Sequence, residues 1–334
     1  MLFFMESPRL LINEIASDET IDAAYQWLCR RRKNYSHNND VWRLRGDWAR
    51  VKPDLQRRLR NGEYRFSPQD EIRLPDTTLE LWQARDSLVL KAMAIVLGNY
   101  LAPVLSARCF HLAGAGGCKA ALNETAECVS DPTFSAKYVM KSDVRGYYAS
   151  MDHDTLYTLL CTYITDEATL DLLWGYLRRT VSFGENYRDV TRGISLGCPL
   201  SPLMGALYLK PLDDMAEKND FFYARFMDDW AIITTTRWKL KRAIASVNQI
   251  LTDLKLEKSP EKTFIGKVCQ GFDFLGYFLA PCVIRLSGQS LDKLSQRMAR
   301  LYEQGADDIR VGQYVGRWMA WAFNIKSAFF FAPI

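Results

Sequence analysis

Histidine is nearly missing from this sequence, with three in 334 residues. The eight cysteines, Cys29, Cys109, Cys118, Cys128, Cys161, Cys198, Cys269 and Cys282, contain no Cys-x-x-Cys pair. Together these exclude a zinc ribbon or finger as the organising principle. Scattered single cysteines suit reduced thiols, so a cytoplasmic location is expected. No apolar run reaches the roughly 18 residues of a membrane-spanning helix, and no membrane partner is expected. The start, Met1-Leu2-Phe3-Phe4-Met5-Glu6, has neither a basic segment nor a long apolar core, so no signal peptide is expected. Internal repeats and low-complexity linkers are also missing. What remains is an ordinary globular composition, 48% hydrophobic and 25% charged. The length is enough for two or three packed subdomains.

The net charge of +4 is too small to name a partner, but its distribution is uneven. Between Arg30 and Arg65 stand twelve Lys/Arg against four Asp/Glu, with Arg31, Arg32, Arg57 and Arg58 in the densest runs. Tyr35, Trp42, Trp48 and Tyr64 are interleaved. Cationic side chains beside stacking surfaces suit a nucleic-acid backbone; a pair of solvated amphipathic helices gives the same pattern.

Residues 1–35 read as mostly helical, and 41–61 as a helix stopped by Asn61-Gly62. A long apolar-periodic helix is expected over 79–106, broken near Pro103. The run 111–117 is a glycine-rich turn before a helix starting near Cys118. Lys137-Tyr138-Val139-Met140 leads as a strand into Lys141-Ser142-Asp143. Helices are expected over 154–165, 167–180, from Pro202 to about Lys218, and over 238–255, 290–304 and 312–330. Phe221–Arg225 and Trp230–Thr234 flank Met227-Asp228-Asp229 as a β-hairpin with carboxylates at its tip. Residues 272–278 read as a strand.

Adjacent carboxylates repel at a hairpin tip, and a divalent cation removes that cost. Two such ions about 4 Å apart would serve an in-line phosphoryl displacement. A bare Asp-Asp pair is most often a solvated turn, so the surrounding motifs decide.

Phe226-Met227-Asp228-Asp229 resembles the aromatic-x-Asp-Asp box of reverse transcriptases. The segment from Ser142-Asp143-Val144-Arg145 to Asp152-His153 resembles their first palm motif in its group II intron-like bacterial form. Gly193-Ile194-Ser195-Leu196-Gly197-Cys198-Pro199-Leu200-Ser201-Pro202 is similar to their nucleotide-pocket motif. Leu256–Thr263 and Gly271–Tyr277 resemble two later motifs, the second being the primer grip with Phe274, Leu275, Gly276 and Tyr277. The five stand in family order, and the likeness covers roughly residues 60–280.

The resemblance implies an α+β right-hand polymerase: helical fingers with an N-terminal extension (1–135), an antiparallel-sheet palm (136–280) and a short helical thumb (281–334). It implies that Asp143, Asp228 and Asp229, with the Val144 carbonyl, hold two Mg²⁺ ions, Mn²⁺ being the alternative. Tyr148 falls where the family places its steric gate against a 2′-hydroxyl. Asp152 is expected to order the palm. Lys262, with Lys258 as rival, stands where a proton donor to pyrophosphate is supplied. Arg85 and Lys119, with Arg73 as an alternative, are triphosphate candidates, because Phe110–Lys119 replaces the Arg-Pro-Gly segment of group II relatives. Arg297, Arg300, Arg310 and Arg317 are available to a duplex from the thumb. Leu196 stands where the family usually has glutamine, as in reverse transcriptases of diversity-generating retroelements, although Ser201-Pro202 departs from those.

The implied activity is RNA-directed DNA synthesis: an RNA template, deoxynucleotides and a complementary DNA product. With no appended nuclease expected, the implied setting is antiphage defence, copying a dedicated noncoding RNA with an accessory protein or as a homo-oligomer. An error-prone diversity-generating enzyme and a reduced group II intron protein are the alternatives. A catalytically silent, maturase-like RNA-binding protein is the alternative of another class.

Overall fold

The computed structural model describes residues 10–74, 77–219 and 221–322. In chain order the elements are α1 (Leu11–Ile15), α2 (Asp18–Arg31), α3 (Asp40–Gly46), α4 (Trp48–Arg60), β1 (Gln69–Leu74), β2 (Thr77–Leu81) and α5 (Ala84–Leu101). There follow α6 (Gly117–Ser130), β3 (Tyr138–Ser142), α7 (Tyr147–Ser150), α8 (His153–Tyr163), α9 (Glu167–Leu177), β4 (Thr180–Phe183) and β5 (Asn186–Asp189). Next come α10 (Ser201–Tyr208), α11 (Lys210–Glu217), β6 (Phe222–Phe226), β7 (Asp229–Thr234) and α12 (Arg237–Asp253). The last are β8 (Phe264–Lys267), β9 (Phe272–Phe274), β10 (Tyr277–Ala280), β11 (Val283–Leu286), α13 (Gly288–Glu303) and α14 (Asp308–Ala322). Within the helical expectations for 1–35 and 312–330, residues 1–9 and 323–330 lie outside the described residues.

The chain forms two compact units, one of residues 1–105, 146–210 and 254–256, the other of 106–145, 211–253 and 257–334. In the first, Ser17 caps α2 by accepting from the Thr20 amide, with Asp18 and Glu19 in the first turn and Arg30 and Arg31 in the last. The cap and the end charges both favour a helix there, and Ile21, Ala24 and Leu28 give it one buried face. That face meets α5, which is apolar almost all round. The unit also holds a four-stranded sheet in the order β2-β1-β4-β5, with β1 and β4 parallel. Its helical expectation is corrected accordingly. The expected helix over 79–106 begins only at Ala84, because Thr77–Leu81 pairs with β1. The helix expected over 41–61 is two, α3 and α4, meeting at Asp47.

The second unit is built on the antiparallel sheet β6-β7-β3-β8. Phe110, Leu122, Val139, Ile233 and Phe272 belong to its core, with α6 against β6 and α12 against β3 and β7. Residues 272–278 are not one strand but the β9–β10 hairpin, turning at Leu275 (φ 50°) and Gly276 (φ 87°). Two consecutive positive φ values make a primed turn, which suits the right-handed strand twist. Helices α13 and α14 share a small core of Leu301, Ala306 and Val311.

Candidate active site

The β6–β7 hairpin pairs Phe226 with Asp229, leaving Met227 and Asp228 as a two-residue turn. Next to it, β3 runs antiparallel to β7 with Ser142 opposite Trp230. Continued by one residue, that register sets Asp143 alongside Asp229. The strand pairing, rather than any local propensity, thus gathers three carboxylates separated by 85 residues of chain into one place.

Met227 has a φ of 57°, a conformation that costs a residue with a side chain about 1–2 kcal/mol. The turn is anchored from beneath. Fully buried Arg225 donates from Nη1 to the Met227 carbonyl at 2.9 Å, from Nε to Asp213 Oδ1 at 2.8 Å, and from Nη2 to Asp213 Oδ2. Tyr223 donates its hydroxyl to the same carboxylate at 2.7 Å. A buried ion pair with its lone pairs satisfied gives the hairpin one fixed root.

Burial, and then contact with Asp143, push Asp228 up to about 7. Burial raises Asp229 to about 6, with Lys141 and the Leu275 backbone amide pulling the other way. Lys141, buried on β3, sets Nζ 3.5 Å from Asp229 Oδ1. Lys262 donates from Nζ to Asp143 Oδ2, and that hydrogen bond raises the lysine pKa. Asp143 Oδ1 and Asp229 Oδ1 are buried without a hydrogen-bond partner. Buried carboxylate oxygens left without a donor are costly unless a cation answers them. An all-oxygen set is that of a hard divalent ion. The residues therefore fit a metal pair in chemistry. The carboxylates adjoin without converging: among the described residues no three His, Cys, Asp or Glu side chains close on one point.

Residues 90–279 match the model of the family described as reverse transcriptase (RNA-dependent DNA polymerase). The chain belongs to the reverse transcriptase family. It is similar to the COX1/OXI3 intron 1 protein of Saccharomyces cerevisiae, 23% identical over 63% of this chain and 26% of that protein. The group II intron-encoded protein LtrA of Lactococcus lactis subsp. cremoris is 26% identical over 38% of this chain and 21% of that protein. The chain thus spans about a quarter of the length of the curated relatives it matches. A chain of a partial Cas6-RT-Cas1–Cas2 complex superposes with a TM-score of 0.44 at 19% identity, covering 74% of this chain and 42% of that one. Reverse transcriptase domains use divalent metal ions, in keeping with the all-oxygen donor set above.

A polar cleft of about 350 Å³ is lined by Lys141, Asp143, Asp229, Lys262 and the 274–276 turn. Phe274 is buried, and Tyr277 donates its hydroxyl to the Ala322 carbonyl at 3.0 Å, tying the primer-grip candidate to α14. Val144 is buried and bridges Lys258 as in an antiparallel pair. Lys258 itself donates from Nζ to Asn248 at 2.6 Å, so of the two rival lysines it is Lys262 that meets the carboxylates. Lys119 lies in the first turn of α6. Arg297, Arg300, Arg310 and Arg317 are exposed on α13 and α14.

The first unit holds the remaining candidates. Tyr148, on α7, packs by Gly205, where an added Cβ would stand 3.3 Å from both the Tyr147 and Tyr148 rings. Leu196 (50% exposed) and Gly197 form one wall of a cleft of about 730 Å³ whose other wall includes Arg31, Arg32, Tyr35 and Arg43. Arg32 is committed to the fold, bonded to Asp40, Ser87 and the Trp82 carbonyl. Arg57 is paired with Asp54 and Glu63, and Arg58 lies over Tyr64. Arg85 lines a separate cleft of about 360 Å³ with Arg43 and Arg50. The Arg73 side chain lies outside the description.

Sequence reasoning missed Lys141, Asp213 and Arg225. Lys141 carried a signal: two residues before Asp143 on a strand, it shares that face. Asp213 and Arg225 carried none, since only the tertiary fold pairs them.

Proposed function

We propose that this protein is an RNA-directed DNA polymerase that extends a primer by two-metal nucleotidyl transfer. The observation behind it is the cluster of Asp143, Asp228 and Asp229 at the strand junction, in which Asp143 Oδ1 and Asp229 Oδ1 are buried without a hydrogen bond, the second with Lys141 Nζ at 3.5 Å. Asp143, Asp228, Asp229 and the Val144 carbonyl would hold two Mg²⁺ ions, with Mn²⁺ as substitute. Such ions, when bound, acidify the primer 3′-hydroxyl and neutralise charge on the departing pyrophosphate. Lys262, already beside Asp143, is our proton donor to pyrophosphate. The Tyr148 ring excludes a 2′-hydroxyl. Arg85 and Lys119 receive the triphosphate, and the Leu275-Gly276 turn supports the primer end. Arg31, Arg32, Arg57 and Arg58 are our candidates for contact with the nucleic-acid backbone. Residues 1–135 would act as fingers, 136–280 as palm and 281–334 as thumb.

We place the reaction in antiphage defence, in the cytoplasm, with a dedicated noncoding RNA as template and an accessory protein or second copy as partner. The group II-type motif set supports the polymerase, and eight free cysteines fit a reducing compartment. The test is sequencing of nucleic acid that copurifies with the chain from its native locus, beside a double Asp228→Ala, Asp229→Ala variant. A defined RNA with complementary DNA that vanishes in the variant is the expected result. RNA without DNA in both samples, with function retained in the variant, would instead identify an RNA-binding protein.

A second reading has its own observation. Leu196 offers an apolar surface to its cleft where an amide would hydrogen-bond, which favours error-prone copying as in diversity-generating retroelements. Equal error spectra for the natural chain and Leu196→Gln would end it.

A further inference from the structure

The Met227 turn is held on its amide side as well. The Met227 backbone N–H donates to His111 Nδ1 at 3.0 Å, opposite the carbonyl that accepts from Arg225. His111 reaches the tip because the chain before it anneals to the edge of β6. The Arg225 amide donates to the Arg108 carbonyl at 3.0 Å, and the Phe110 amide to the Arg225 carbonyl at 2.8 Å. Cys109 and Arg225 form a parallel bridge between them. The imidazole also stands edge-on to Phe226, with ring centroids 6.0 Å apart.

A backbone N–H can only donate, so Nδ1 is the bare nitrogen and the ring proton sits on Nε2. Cys109 Sγ lies 3.4 Å from the same nitrogen. Nδ1 has one lone pair, and a thiol is the weaker donor, so the backbone amide holds it.

We infer that His111 is a positioning residue of the polymerase site, whose Nε2–H tautomer fixes the Met227 peptide and so aims Asp228, the next residue. The inference rests on the nucleotidyl-transfer reading above. Met227 is the left-handed residue of the turn, and its strained backbone keeps one conformation only where its surroundings over-determine it. Arg225 fixes one polar group of Met227 and His111 the other. With the amide released, the Phe226–Met227 peptide loses its hold and the turn keeps only the Arg225 anchor on the Met227 carbonyl, so the Asp228 carboxylate that follows loses its direction without losing its chemistry.

The test uses His111→Asn and His111→Gln in the full chain. Asn Oδ1 stands as many bonds from Cα as Nδ1 does, whereas Gln Oε1 matches Nε2. The first readout is hydrogen exchange at the Met227 amide, followed by NMR with nitrogen-labelled methionine and isoleucine and without metal or nucleotide. The natural chain and the Asn variant should exchange alike, and the Gln variant about tenfold faster, the equivalent of one lost hydrogen bond. Exchange at Ile232 and Ile233 in β7 should be unchanged, which separates a loosened tip from an unfolded hairpin. The second readout is single-turnover nucleotide addition on an RNA template. The Gln variant should lose about tenfold in maximal rate with little change in half-saturating nucleotide, and the Asn variant should recover it.

Equal Met227 exchange in the natural chain and the Gln variant would overturn the inference, as would equal rate losses in both variants. A natural chain that adds no nucleotide sinks the polymerase reading, and with it the catalytic meaning of the contact. The exchange measurement still decides whether the contact itself holds the turn.

Discussion

The Asp152 carboxylate caps α8 by accepting from the Thr155 amide at 3.0 Å and hydroxyl at 2.7 Å, and it pairs with Lys255 at 2.8 Å. Burial pushes its pKa up, but the bonds from Lys255 and Thr155 outweigh this and hold it at about 2. A folded value below the unfolded one stabilises the fold above the unfolded pKa and is lost as pH falls through the folded one. Asp152→Ala should therefore cost about 1–2 kcal/mol at neutral pH. In urea denaturation followed by fluorescence, the gap to the natural chain should narrow from about pH 4 towards 2. Asp152→Asn, which can still cap, should keep part of the stability. Asp152 as an ordering residue was legible in the sequence, and so was the gathering of Asp143, Asp228 and Asp229, because adjacency and motif order mark them. His111, Asp213 and Arg225 were not. Their roles depend on contacts across 116 and 12 residues that no local pattern records.

At the scale of elements, the hairpin root and the primer-grip turn make separate predictions. Asp213→Ala removes, from a fully buried place, the carboxylate that Arg225 meets with both Nε and Nη2, and should destabilise the chain by about 3–5 kcal/mol in chemical denaturation. Gly276 has a φ of 87°, and an added Cβ would stand 3.0 Å from Ser290 Oγ and 3.1 Å from Trp321. Gly276→Ala should cost about 1–2 kcal/mol in the same assay and lower primer extension further than that loss explains. The β6–β7 hairpin was readable because two apolar runs flank a polar turn. The β9–β10 hairpin was not, because its two-residue turn interrupts the apolar run so briefly. The strand at Thr77–Leu81 was hidden for another reason. Its apolar residues run without a break of pattern into those of α5, and its partner β1 was not recognised.

For the whole molecule, the carboxylate cluster opposes stability in the metal-free chain, since burial disfavours two like charges side by side. Asp228→Asn should raise the metal-free melting temperature by the equivalent of about 1–2 kcal/mol and remove most of the stabilisation that Mg²⁺ gives the natural chain. Calorimetry with and without chelator checks both. The mixed fold with an antiparallel central sheet was foreseeable from strand-ended motifs; the sheet of the first unit was not. Two of its strands, β4 and β5, are each four residues long, and the β1–β4 pairing joins strands more than a hundred residues apart. That separation matters at the ribosome. When β1 and β2 have emerged as a hairpin, the strand that pairs with the other edge of β1 has not been made. At about 5–20 residues per second, that edge waits roughly 5 to 20 seconds in the open. Exposed edges recruit foreign strands, so the nascent chain is most prone to aggregate in this interval. Slowed translation between codons 82 and 180 should lower the soluble yield, and a chaperone that shelters the hairpin should restore it.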